Sequence, residues 1–217
     1  MNDQQKSLEY TKKARVMAEK SGDQRRLTSI YINLGDIYEK LDQLDSARLY
    51  TTMGHELSLK LGRMARVALA LGNMGTIYLK RHEYDLALNY YRLAIQELKK
   101  NDADPAKLSE IYIGMARTFN ELKKTDSTLY YARLAYQQAA ENFSPQDILN
   151  SSDYLYQYYK KAGRTDSAFY YREVSLAAKD SLFSEEKERT IQRLTFDEQV
   201  RQQEVVAAEN QRAYERR

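Results

Sequence analysis

The sequence contains no cysteine, so it can form neither a disulfide framework nor a thiolate metal site, and it offers no thiol nucleophile. That absence suits an oxidising and a reducing compartment equally. Proline is nearly missing, with two copies in 217 residues, and glycine is sparse at eight. So few turn formers leave little material for hairpins and sheets, and an all-helical chain is expected. Neither sign of charge dominates: 34 basic and 31 acidic residues are interspersed for a net +3, which excludes a broad field for nucleic acid or anionic lipid. No apolar run approaches the roughly 20 residues of a membrane helix, and the opening stretch MNDQQKSLEYTKKARVMAEK lacks the apolar core of a signal peptide.

Residues with catalytic chemistry are equally scarce. His55 and His82 are the two histidines, and neither has a companion at metal or triad spacing, so both are expected to be exposed structural residues. No Gly-x-x-x-x-Gly-Lys loop is present to cradle phosphate. Glu185, Glu186 and Glu188 alternate with Lys187 and Arg189, the pattern of a solvated mixed-charge helix. No catalytic residue, metal ligand or cofactor is expected.

What the chain does have is repetition. Asp45/Tyr50, Asp85/Tyr90, Asp126/Tyr131 and Asp166/Tyr171 recur at intervals of 40, 41 and 40 residues. Ten residues before each aspartate stands Gly35, Gly75, Ala116 or Tyr156, preceded directly by Leu34, Met74, Met115 or Leu155. Three residues further on comes an aromatic: Tyr38, Tyr78, Phe119 or Tyr159. Two residues after each aspartate comes Ala47, Ala87, Thr128 or Ala168, and seven later Gly54, Ala94, Ala135 or Ser175. An apolar residue and an aromatic four positions later share one helix face, and the small residue between them lets a partner helix approach. Small residues seven apart give the second helix a matching face. The linkers KLDQLDS, KRHEYD, ELKKTDS and KAGRTDS offer the aspartate, or a nearby serine or threonine, as an N-cap. One such pair cannot bury its face alone, so the pairs are expected to stack into a solenoid. Most of the 19 tyrosines occupy this packing register, where a ring fills the space between helices.

At these offsets the chain resembles the tetratricopeptide repeat, a helix pair of about 34 residues. Tyr31, Leu34, Gly35, Tyr38 and Ala47 match in the first full repeat, and Leu71, Met74, Gly75, Tyr78, Ala87, Tyr91 and Ala94 in the second. The third departs at Ala116 and Thr128, the fourth at Ser152, Tyr156 and Ser175, and none has the terminal proline. The period is also longer by about six residues, which points to a long-helix variant. The resemblance implies an all-α superhelix over residues 1–180, with a half repeat at 1–22 and repeats near 23–62, 63–103, 104–143 and 144–180. In the half repeat Tyr10, Ala14 and Gly22 stand forty residues ahead of Tyr50, Gly54 and Gly62, as in a second helix whose first is missing. The register favours a solenoid cut from a longer one over a natural cap.

Beyond Ala178 the signature vanishes and residues 181–217 read as a charged helix, continuing from the last repeat or restarting near Ser184. Ile191, Leu194, Val205 and Ala208 fall on a heptad seam that Glu198 and Arg201 interrupt, while Phe196 and Val200 fit a shifted frame. A weak homodimer through 184–217 is therefore an expectation. With its KDSLFSEE exit, the whole resembles the extracytoplasmic sensor portion of membrane-anchored bacterial histidine kinases and transcriptional regulators. That resemblance implies a periplasmic location beside the inner membrane and an output domain outside these residues. The alternatives are a cytosolic adaptor and a peptide-pheromone-type receptor.

The partner implied is a protein or peptide, docked on the concave face formed by the first helices. Counting in the repeat register, the solvent-facing positions there are Asn33/Asp36, Asn73/Thr76, Gly114/Arg117 and Tyr154/Gln157. The asparagines suit a peptide backbone and Tyr154 an aromatic contact. Only Arg117 among the eight is basic, so a terminal-carboxylate clamp of the kind some tetratricopeptide domains carry is not reproduced.

Overall fold

A computed structural model describes residues 3–100 and 106–215. Every described element is a helix: α1 (Asp3–Ser21), α2 (Gln24–Lys40), α3 (Leu44–Lys60), α4 (Met64–Lys80), α5 (Tyr84–Lys100), α6 (Ala106–Glu121), α7 (Thr125–Glu141), α8 (Pro145–Lys161) and α9 (Thr165–Glu215). The fold is an all-α solenoid in which α2/α3, α4/α5, α6/α7 and α8/α9 form the four pairs.

The helices are cut to length by one turn, used repeatedly. After α1–α4 and α6–α8, one residue enters the left-handed region: Gly22, Asp42, Gly62, His82, Lys123, Phe143 and Gly163, with φ between 50° and 70°. Its amide donates to the carbonyl three residues back and the next amide to the carbonyl five residues back, as in Asp42 N to Glu39 O (3.0 Å) and Gln43 N to Tyr38 O (2.8 Å). This double bond to the last turn closes the helix without a proline. The aspartates of the repeat lie inside the first turns of α3, α5, α7 and α9, not at their caps. Gln43 and Lys124 occupy the caps of α3 and α7 without a side-chain bond, so Asp45 and Asp126 act on the helix dipole instead. Side-chain caps occur at Asp23 and Ser144.

Within each pair, one ring from the first helix lies flat on one from the second. Tyr38–Tyr50, Tyr78–Tyr90, Phe119–Tyr131 and Tyr159–Tyr171 stack with centroids 5.4, 5.1, 5.4 and 5.7 Å apart and planes within 9°. Beside each stack the facing residues compensate in size. A Cβ on Gly35 would collide with Thr51, and one on Gly75 would sit 2.5 Å from the Tyr91 ring. Ala116 and Ala132 share one cluster in the third pair, while in the fourth the Arg172 guanidinium lies 5.2 Å over the Tyr156 ring. Leu34, Ala47, Met74, Ala87, Ala94, Met115, Ala135, Leu155 and Ala168 are all buried in these interfaces.

Successive first helices approach closely along their backbones (α2 with α4, α4 with α6, α6 with α8), whereas among the described residues the second helices stand farther apart and meet only through long side chains, as Tyr136 of α7 does with Tyr171 of α9. The first helices therefore line the inner, concave side. α9, at 51 residues, is far longer than the 16–19 of the other described helices: it crosses residue 181 without a break and runs to Glu215. The predicted seam at Ile191, Leu194, Val205 and Ala208 lies outside the described side chains.

Left-handed backbone costs an L-residue about 1 kcal/mol, and glycine almost nothing. Phe143 adopts it with its side chain 87% exposed. Phe143→Gly should raise stability by about 1 kcal/mol and Gly62→Ala lower it by a similar amount, read from urea denaturation midpoints.

Candidate functional site

A trough of about 360 Å³ crosses the concave side. It is built from Asp36, Glu39 and Lys40 of α2, Asn73, Thr76 and Leu79 of α4, Ser109, Glu110, Ile113, Gly114 and Arg117 of α6, Asp147 and Asn150 of α8, and Tyr91 from behind. The lining drifts along the helices. It uses the C-terminal half of α2 and α4, the middle of α6 and the first two turns of α8, so the trough runs obliquely across the four helices.

That obliquity sorts the predicted residues. Asp36, Asn73, Thr76 and Arg117 line the trough, with Gly114 in its floor. Asn33 is exposed on α2 one turn before Asp36, and Gln157 is exposed on α8; neither is in the lining. Tyr154 is half-buried against the cores of two repeats, with its hydroxyl buried and without a hydrogen-bond partner. Glu39, Ser109, Glu110, Asp147 and Asn150 were missed because equal repeat offsets presuppose a lining parallel to the stack.

Tyr91 sets the floor. Its ring passes behind Gly75 of α4 and its tip reaches Gly114 of α6, where an added Cβ would collide with the phenol. Only glycine on both flanking helices admits a ring at this depth, and the side chain is 1% exposed. The hydroxyl pairs with the Thr76 hydroxyl at 3.2 Å. Burial pushes it well above the usual phenol range, against the opposing influence of Thr76 and the Arg117 charge.

The charges of the walls are unequally matched. Lys40 donates to Asp36 at 2.8 Å, Lys80 bridges to Glu39 at 2.8 Å, and the Ser144 hydroxyl donates to Asp147 at 2.8 Å. Glu110 has Lys107 at 3.9 Å. Arg117, among the described residues, has no carboxylate within ion-pairing distance, and its charge falls on the phenols of Tyr91 and Tyr154. The trough thus combines amides (Asn73, Asn150), hydroxyls, carboxylates and one uncommitted guanidinium with the apolar sides of Leu79 and Ile113. Such a set can satisfy an extended backbone and grip side chains.

The histidines lie elsewhere. His82 is exposed and pairs with the Tyr84 hydroxyl at 3.0 Å. His55, expected to be exposed, is half-buried, and burial holds its imidazole below the ordinary value. Among the described residues no group of three or more histidines, aspartates or glutamates is placed to hold a metal ion, and no helix is long and apolar enough to cross a membrane.

No family model matches the chain, and no curated protein does. Solved structures do. The apo form of RapI superposes with a TM-score of 0.67 at 19% identity, covering 84% of this chain and 64% of that one. BtubC (BKLC) from P. vanneervenii gives 0.59 at 16% identity, over 82% of this chain and 89% of that one. Aspartyl phosphate phosphatase F from Bacillus subtilis gives 0.66 at 13% identity, over 82% of this chain but 49% of that one. The chain spans less than two thirds of RapI, and at these identities the likeness is one of fold.

Gly75→Ala should cost about 1–3 kcal/mol by overpacking Tyr91. Combined with Tyr91→Leu the loss should be smaller than the sum of the two single losses, measured by a double-mutant cycle in urea. A second test uses pH. Burial pushes the Tyr154 phenol up to about 12, so the unfolded chain releases this proton first, from about pH 10. Stability present below that pH should fall as pH rises toward 12. Tyr154→Phe should reduce this alkaline loss and, by removing an unpartnered buried hydroxyl, cost nothing at neutral pH.

Proposed function

We propose that the chain is a non-enzymatic recognition module that takes an extended peptide or protein segment in the oblique trough. The observation that carries this reading is the convergence of the first helices of all four repeats on one polar, concave surface containing Arg117, which has no carboxylate partner among the described residues. An extended segment advances about 3.3 Å per residue and exposes a donor and an acceptor at each step, which Asn73, Thr76, Asn150 and Glu110 can meet.

The finer reading is the sensor or scaffold segment of a membrane-anchored bacterial signalling regulator, on the periplasmic side of the inner membrane. Its support is α9, which belongs to the last repeat by its Tyr159–Tyr171 stack and Ala168 and continues unbroken to Glu215. A single helix shared by recognition body and exit segment is a direct mechanical connection.

The test is selection of a displayed random-peptide library on the full chain, followed by titration of the enriched peptides. Asn73→Ala and Arg117→Ala should each weaken them about tenfold, or 1.4 kcal/mol, while the circular dichroism melt stays unchanged. Enriched peptides that bind both variants as well as the original chain would place recognition elsewhere.

A further inference from the structure

α1 and α9 are the outermost helices of the described stack, and each presents a row of exposed apolar residues. Tyr10 stands in the register of Tyr50, Tyr90, Tyr131 and Tyr171, which are half-buried; it is 69% exposed, and Met17, two turns on, is 70% exposed. On α9, Phe169 stands in the register of Leu88 but is 66% exposed where Leu88 is 5%. Leu176 and Phe183 extend that row in seven-residue steps, and both are exposed.

The two rows match in spacing. Seven helical residues rise about 10.5 Å, so Tyr10–Met17 has the pitch of Phe169–Leu176 and of Leu176–Phe183. They are also flanked by opposite charge. Lys6, Lys13 and Lys20 accompany the α1 row, and Asp166, Glu173 and Asp180 accompany one side of the α9 row, with Arg172 and Lys179 on its other side, all exposed. Lys13 meets Glu9 at 2.6 Å, a solvated pair that re-partners at little cost. The lysines follow their apolar residues by three positions and the acids follow theirs by four. With the apolar rows facing, that offset brings the charged rows together when the helices run in the same direction. Second helices of one solenoid share a direction, so the contact keeps the direction of the stack, although within the chain a first helix lies between successive second helices.

We propose that the chain associates end to end with a second copy of itself, α9 of one molecule lying along α1 of the next. The contact is heterologous: each copy uses two different surfaces, so the contact on α1 leaves α9 of the same molecule available. This surface is separate from the concave trough.

Sedimentation velocity of the full chain tests it. The weight-average mass should climb above 25.4 kDa as concentration rises. Met17→Glu and Phe169→Glu alter exposed positions, and each variant alone should remain monomeric. An equimolar mixture should give a species of twice 25.4 kDa and nothing larger, because one intact α9 face then meets one intact α1 face. A chain that is monomeric at every concentration overturns the proposal. So does a Met17→Glu variant that self-associates like the original chain, the result expected of a symmetric pairing through 184–217.

Discussion

Each repeat is held by a pair of aromatic rings lying flat on one another across its two helices, and the rest of the molecule is arranged around that contact. A stacked pair adds about 1 kcal/mol beyond the area it buries. Its larger effect is geometric. Parallel rings separated by 5.1–5.7 Å in all four pairs fix how far apart the helices stand and how they are aligned along their axes. With separation fixed, the volume beside the ring is fixed too, which is why Gly35 faces Thr51, Gly75 faces Tyr91, and the two alanines 116 and 132 meet in the third pair. Protein interiors tolerate little misfit, so a larger residue on one helix requires a smaller one opposite.

The trough follows from the same constraint. The stacked rings set the four pairs alike, and the concave lining shared by their first helices shifts along the helices from α2 to α8. Tyr91 is the point where packing and surface coincide: the ring that fills the gap left by Gly75 and Gly114 also places a hydroxyl beside Thr76 at the floor.

The repeat, its forty-residue period and the inward-facing residues were legible in the sequence because stacking demands the same residue sizes at the same offsets. Leu34, Met74, Met115 and Leu155 mark the first helices, and their burial follows from period alone. The turns were only partly legible. Gly22, Gly62 and Gly163 announce a left-handed residue, but Asp42, His82, Lys123 and Phe143 adopt the same backbone with no such signal, since the two closing hydrogen bonds come from the main chain. Of the residues lining the trough, Asp36, Asn73, Thr76 and Arg117 were legible. Asp147 and Asn150 were not, because the angle between successive repeats is a property of packed surfaces and leaves no mark at a fixed offset. Tyr154 misled the reading in the same way: its register is that of a solvent-facing residue, yet the neighbouring repeats close over its ring.

The unbroken course of α9 makes the last repeat the short arm of a lever. Residues beyond Ser181 extend about 50 Å at 1.5 Å per residue, so a tilt of about 5° at the repeat displaces the far tip by about 4 Å. Displacements too small to alter the packing of α8 on α9 are thereby enlarged at a distance. Whatever the tip touches receives an event in the solenoid as translation rather than as a change of fold.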